Sequence, residues 1–337
     1  MVRLSVLDQT HVPEGRTPGD ALRETTALAQ AADRLGYTRY WVSEHHGMPS
    51  LGHSSPEVLL AHLGAHTSRI RLGSGGVMLP HYSPYKVAEN FRLLEALHPG
   101  RIDVGLGRAP GGMPIASRAL QEGKLVEIDR YPDQVADLIG YLHDDLPEGH
   151  PFARLKAAPV IDTAPDVWLL GSSDESARIA ARMGLAYGFA QFFGVTEGER
   201  AMRIYREEFR PSAWNAAPRS LAAVLVVCGE TEEEANRLAL STDLFFLRLE
   251  LGLELNHLPS VDTAMDYPYT EYDLYRIRLG RERRFVGTPE KVKASLLEAG
   301  ERYRTDEFMV VSPIHDPEAR IRSYELLAGA FGIGGLK

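Results

Sequence analysis

From Leu4 nearly to the C-terminus, short apolar runs alternate with longer segments whose apolar residues recur every three or four positions. Residues 4–9 read as a first strand, followed by a Pro/Gly-rich loop over 12–19. Asp20 or Thr17 is placed to cap a helix carrying Leu22, Leu28, Ala31, Ala32 and Leu35, which Gly36 ends. The aromatic and β-branched run around Tyr40 is the second strand. A helix at 56–66 leads to a third strand over 70–79, broken by Gly73-Ser74-Gly75-Gly76. Residues 85–98 form a helix with Val87, Phe91, Leu94 and Leu97 on one face, and 102–106 a fourth strand. After a long, weakly patterned connection, 167–170, 186–193, 221–228 and 307–311 read as strands. Helices are expected over 173–183, 197–209 and 231–249, from Thr288-Pro289-Glu290 onward, and over 317–331. Eight such units predict a parallel sheet closed into a (β/α)8 TIM barrel, with residues 1–337 forming a single domain.

Two stretches break the alternation. Residues 111–130 read as a loop after strand four. Residues 253–285 form a longer excursion carrying Tyr267, Tyr269, Tyr272 and Tyr275 beside Arg276, Arg278, Arg281, Arg283 and Arg284. Long loops in compact domains are lids, binding loops or disordered segments, so a lid over the barrel mouth and a poorly ordered excursion stand as equal readings.

Composition narrows the partners. A hydrophobic content of 44% with 25% charged residues is ordinary for a soluble globular chain, and a net charge of −9 argues against nucleic acid or an anionic membrane. The lone cysteine, Cys228, excludes an intramolecular disulfide and a cysteine-built metal site, and no metal is expected. No apolar run reaches the ~18 residues of a membrane span, and no secretory signal opens the chain. Cytoplasmic location is the simplest expectation.

Candidate chemistry gathers where the strands stop. The second strand runs into Glu44-His45-His46-Gly47, placing a carboxylate and two imidazoles at a strand end, where barrels build their sites. Gly73-Ser74-Gly75-Gly76 marks a bulge or a close approach of ligand to backbone. Gly105-Leu106-Gly107-Arg108-Ala109-Pro110 departs from a dinucleotide fingerprint, and is either a plain turn or a glycine-lined approach with Arg108 as donor fork. Gly171-Ser172-Ser173-Asp174-Glu175-Ser176 lies at a strand-to-helix turn. It suits an anion, although Ser172 and Glu175 also make a capping-box pattern, and Asp174 and Glu175 repel phosphate unless they point away. His62 and His66 are ordinary helix residues lacking a third ligand.

The runs 41–47, 73–80, 93–108, 171–184 and 286–290 together resemble the bacterial luciferase-like flavin monooxygenases, over nearly the whole chain. The likeness is strongest to single-chain members found beside biosynthetic genes, including those that oxygenate aromatic polyketides in antibiotic biosynthesis. The resemblance implies reduced FMN bound at the strand C-termini. It implies His45 as the catalytic histidine with Glu44 and His46 as neighbours, and Gly75-Gly76 as a non-proline cis peptide beneath the isoalloxazine. Arg108, Ser172, Ser173 and Ser176 fall at its phosphate-binding positions. Gly107 stands where luciferase itself has a reactive cysteine, and Ser172 replaces an acidic residue. The implied reaction uses reduced FMN from a separate NAD(P)H:flavin reductase, with O2, to form a C4a-hydroperoxide that epoxidises or hydroxylates a small organic substrate. His45 would exchange a proton with a pKa near neutrality, and the chain would form a homodimer through the helices after strands two and three. A deazaflavin-dependent hydride transferase and a non-catalytic flavin-binding protein are the alternatives.

Overall fold

Parallel strands buried on both faces are the element this sequence builds most clearly, and they close on themselves. A computed structural model describes residues 2–108, 110–122, 128–193 and 198–334. In chain order the elements are β1 (Arg3–Asp8), α1 (Pro18–Leu35), β2 (Arg39–Val42), α2 (Pro56–His66), β3 (Arg71–Ser74), β4 (Val77–Met78), α3 (Pro84–Leu97) and β5 (Ile102–Gly107). There follow α4 (Pro114–Leu120), α5 (Tyr131–His143), β6 (Asp166–Gly171), α6 (Asp174–Arg182), β7 (Ala186–Ala190), α7 (Gly198–Glu207) and β8 (Ser220–Cys228). The chain ends with α8 (Glu232–Glu250), α9 (Val261–Asp266), α10 (Glu271–Arg281), β9 (Arg284–Gly287), α11 (Pro289–Tyr303), β10 (Glu307–Val311) and α12 (Pro317–Phe331).

The order β1-β2-β3-β5-β6-β7-β8 is closed by β10, which pairs with both β8 and β1. The chain is therefore a (β/α)8 barrel. β4 continues the stave of β3 and pairs with β5 after the glycine interruption.

Period-two alternation sorts each strand. Leu4 and Val6 of β1, Ala222, Val224 and Val226 of β8, and Phe308 and Val310 of β10 face the helices. Leu7, Leu221, Ala223, Leu225, Met309 and Val311 fill the barrel interior with Trp41 and Trp168. Below these, the interior carries charge. Asp103 accepts from Arg39 Nη1 at 2.7 Å, from Arg71 Nη2 at 2.6 Å and from the Trp41 indole at 2.9 Å, and Arg39 Nε donates to Glu307 at 2.7 Å. One buried carboxylate thus ties together β2, β3 and β5, and Arg39 links them to β10.

Several expectations need correction. The strand expected over 186–193 stops at Ala190, and Gln191–Phe193 is a short 3₁₀ turn. The loop expected over 111–130 contains α4, and the connection beyond it contains the buried helix α5; residues 123–127 lie outside the described residues, as do Ala109 and Glu197. Residues 253–285 are ordered as α9, α10 and β9. β9 pairs with residues 225–228 of β8, beyond Ala223, where β7 leaves that strand. Tyr267 and Tyr269 pack on Leu244 and Leu247 of α8, Arg276 pairs with Glu250, and Arg281 and Arg284 both pair with the buried Asp243. Part of the excursion's aromatic and basic side chains is thus spent on α8, while Tyr272, Tyr275 and Arg278 stay exposed.

Candidate active site

The C-terminal ends of the strands surround a cavity of about 470 Å³, within the range of small-molecule sites. His45, Gly75, Gly76, Arg108, Ser172, Ser173 and Ser176 all line it.

His45 follows β2, and its Nδ1 lies 3.1 Å from the Ser43 hydroxyl. Burial, with His53 and His46 nearby, lowers its pKa to about 4. The expectation of a near-neutral pKa is therefore corrected: withdrawn from water and facing other imidazoles, His45 is uncharged at neutral pH. Glu44 and His46 do not line the cavity. The buried Glu44 carboxylate takes hydrogen bonds from the Tyr82 hydroxyl at 2.9 Å and the Met78 amide at 3.1 Å, and lies 2.8 Å from His46 Nε2. This network fixes the backbone just past the Gly75-Gly76 pair.

The Gly75-Gly76 peptide is cis. A Cβ on Gly75 would lie 2.6 Å from Leu7 Cδ1, and one on Gly76 would lie 2.7 Å from the Gly105 carbonyl. Only glycines leave this wall flat.

The third cluster lies two strands on. Arg108 leaves the end of β5, and Ser172 and Ser173 follow β6 into α6. The capping box is Ser173 with Ser176, in place of the expected Ser172 with Glu175. β6 ends at Gly171, and Ser173 takes the extended conformation of an N-cap. Ser176 Oγ is further engaged by the Ser173 carbonyl at 2.7 Å and the Tyr187 hydroxyl at 3.0 Å. Ser172 has no hydrogen-bonding partner among the described residues, so its hydroxyl is the one left for a ligand. Neither Asp174 nor Glu175 lines the cavity; Asp174 pairs with Arg200 at 2.9 Å, and Glu175 with Arg108 at 2.8 Å.

Sequence reasoning missed the facing wall. Leu7, Gln9 and His11 continue the inward alternation of β1 past its end, and α8 contributes Phe245, Phe246 and Leu249. The alternation was the signal for the first three. No local pattern marks the α8 residues as cavity lining.

Burial also lowers the pKa of His11, to about 3, and that of His53. With folded pKa values below the unfolded 6.5, the unfolded chain takes up protons first as pH falls. Stability is therefore expected to be full above about pH 6.5 and to decline toward pH 4. Thermal melts at half-unit intervals check this, and His11→Phe should flatten the slope.

The luciferase-like monooxygenase family model matches residues 2–306. "Uncharacterized protein YwcH" of Bacillus subtilis (strain 168) is 53% identical over 98% of this chain and 99% of its own. N-acetyl-S-alkylcysteine monooxygenase of the same organism is 38% identical over 98% of each. The crystal structure of apo-MsnO8 superposes with a TM-score of 0.91 at 40% identity, covering 99% of each chain. With a family match over most of its length and a barrel to go with it, the chain belongs to the luciferase-like monooxygenases.

Proposed function

We propose that this protein is the oxygenating component of a two-component flavin monooxygenase, taking reduced FMN from a separate reductase and inserting one oxygen atom of O2 into a small, largely apolar substrate. One observation carries the reading: a single cavity joins an imidazole, a glycine-flattened wall and an Arg/Ser-lined helix start. These lie at the ends of β2, β3, β5 and β6, so the rim between His45 and Ser172 spans about three strand spacings, roughly 14 Å.

The residues present fit FMN. When bound, it supplies the two electrons that activate O2. Ser172, the first amides of α6 and Arg108 would hold the phosphate. Arg108 can turn from Glu175 at little cost, because that carboxylate is largely exposed and its ion pair correspondingly weak. Gly75 and Gly76 let a flat ring system lie against the backbone. Trp41, Met78 and Leu170 line the same cavity and would help to exclude water from a bound flavin. His45, neutral and adjacent, accepts or returns a proton at the substrate. Phe192, Phe245 and Phe246 line the cavity and suit an aromatic substrate of the polyketide kind, to be hydroxylated or epoxidised. Val58, Leu93 and Leu97, exposed on α2 and α3, support pairing of two copies through those helices.

Titration with photoreduced FMN, oxidised FMN and a deazaflavin cofactor tests the proposal. Reduced FMN is expected to bind tightest and the deazaflavin not at all. Arg108→Ala should weaken FMN about 10- to 100-fold through loss of a charge-assisted contact, with riboflavin affinity unchanged. Preference for the deazaflavin would replace this reading with hydride transfer.

A further inference from the structure

Two polar side chains of the cavity lie outside the set proposed to hold the cofactor. His11 is only 6% exposed, yet its ring has no hydrogen-bonding partner among the described residues, and it stands edge-on to Phe245 with centroids 5.0 Å apart. Gln9, two residues earlier and on the same face, also lines the cavity with its amide unpartnered among the described residues. Around them the wall is mostly apolar, with Leu7, Leu225, Phe245, Phe246, Met309 and Val311, and the uncharged His45 is the neighbouring imidazole.

Their position is informative. β1 and β6 lie diametrically apart, with β2, β3 and β5 between them one way and β7, β8 and β10 the other. Gln9 and His11 therefore face the serine cluster across the barrel mouth, where the part of the cavity left by a flavin begins.

The segment carrying them is firmly held. Asp8 accepts from the Thr10 amide at 2.7 Å, the Thr25 hydroxyl at 2.7 Å, the Tyr40 hydroxyl at 2.6 Å and Arg320 Nη2 at 2.6 Å. The Val12 amide donates to the Ser50 carbonyl at 2.8 Å, and the Gly52 amide to the Thr10 carbonyl at 2.8 Å. Thr10, at φ 52°, turns the chain between the two side chains. Such support pre-organises a recognition edge. The nearby charges cancel: Asp8 and Arg320 neutralise each other, and His11 is uncharged. An ionic substrate group here would be desolvated without a counter-charge.

We propose that Gln9 and His11 are the substrate-recognition residues, and that the substrate is a neutral, mostly apolar molecule with one hydrogen-bonding oxygen held by these two side chains. This rests on the flavin monooxygenase reading of the cavity.

Calorimetric titration of the full chain with 2-naphthol and with naphthalene tests it. Wild-type protein should prefer 2-naphthol about tenfold, the worth of one well-placed neutral hydrogen bond. His11→Phe and Gln9→Leu should each bring that ratio toward one while naphthalene affinity is kept, a change that general loosening of the fold does not produce. A wild-type ratio of one, binding of neither probe, or variants that keep the preference would overturn the proposal. FMN titration of the same samples judges the underlying reading separately. FMN binding without a naphthol preference removes only the recognition edge, and a naphthol preference without FMN binding removes only the flavin.

Discussion

Asp103→Ala is expected to cost about 3–5 kcal/mol of folding stability, the range for breaking a buried ion network from one side. Asp103 is fully buried at the foot of the barrel and accepts from two guanidinium groups and an indole. Without it, Arg39, itself only 3% exposed, keeps Glu307 alone as a charged partner. Arg71 keeps the Gly100 and Ile102 carbonyls, but its charged partner is reduced to a 3.5 Å approach to Asp166. A buried cation left half-paired costs more than the pair contributes when intact, so the loss falls on the barrel closure itself. Asp103→Asn preserves the shape without the charge and should lose most of the same stability. Urea unfolding reads both. A midpoint shift equivalent to less than about 1 kcal/mol would mean that the network is solvated enough to tolerate the gap.

The second large effect is catalytic. His45→Ala is expected to slow product formation about 10²- to 10⁴-fold, the usual contribution of a positioned acid–base group. On the proposed reading, reduced-FMN affinity should change less than tenfold, because other residues across the cavity would hold the phosphate. The assay follows whichever neutral aromatic or aliphatic probe turns over fastest with photoreduced FMN in air. The wild-type activity–pH profile should show no limb at 6.5, since burial holds His45 near 4 and the group stays neutral above that. A variant of undiminished rate, with peroxide release unchanged, would remove His45 from the chemistry.

The barrel was legible because each of its strands is an apolar run bounded by turn residues, and most helices carry one apolar face. The seven cavity-lining residues expected from the sequence do share one cavity, because they sit at the ends of neighbouring strands. What escaped depended on distant partners. The basic run from Arg276 to Arg284 finds its acids at Asp243 and Glu250 on α8, and β9 pairs with β8 more than fifty residues upstream. Neither partnership leaves a local mark. The α5 helix was legible in principle, since Tyr131, Val135, Leu138 and Leu142 repeat at helical spacing. Pro132, in its first turn, marks the helix start within a connection that is only weakly patterned in sequence. The cap register at Ser173 was undecidable locally, because both serines have a polar residue three positions on. The pKa of His45 depended on burial, which the chain order of Glu44-His45-His46 does not express.

The glycine wall makes the two halves of the cavity unequal in their freedom to diverge. At Gly76 even one methyl group would meet the Gly105 carbonyl at 2.7 Å, and at Gly75 it would press on Leu7 at 2.6 Å, so mutational drift along this wall is constrained by backbone. The opposite half is built of leucine, methionine, valine and phenylalanine, any of which can be truncated or exchanged without touching the backbone. Retargeting the enzyme by laboratory evolution should therefore yield its winners on β8, β10 and α8, with the Gly75-Gly76 segment returning unchanged from every round.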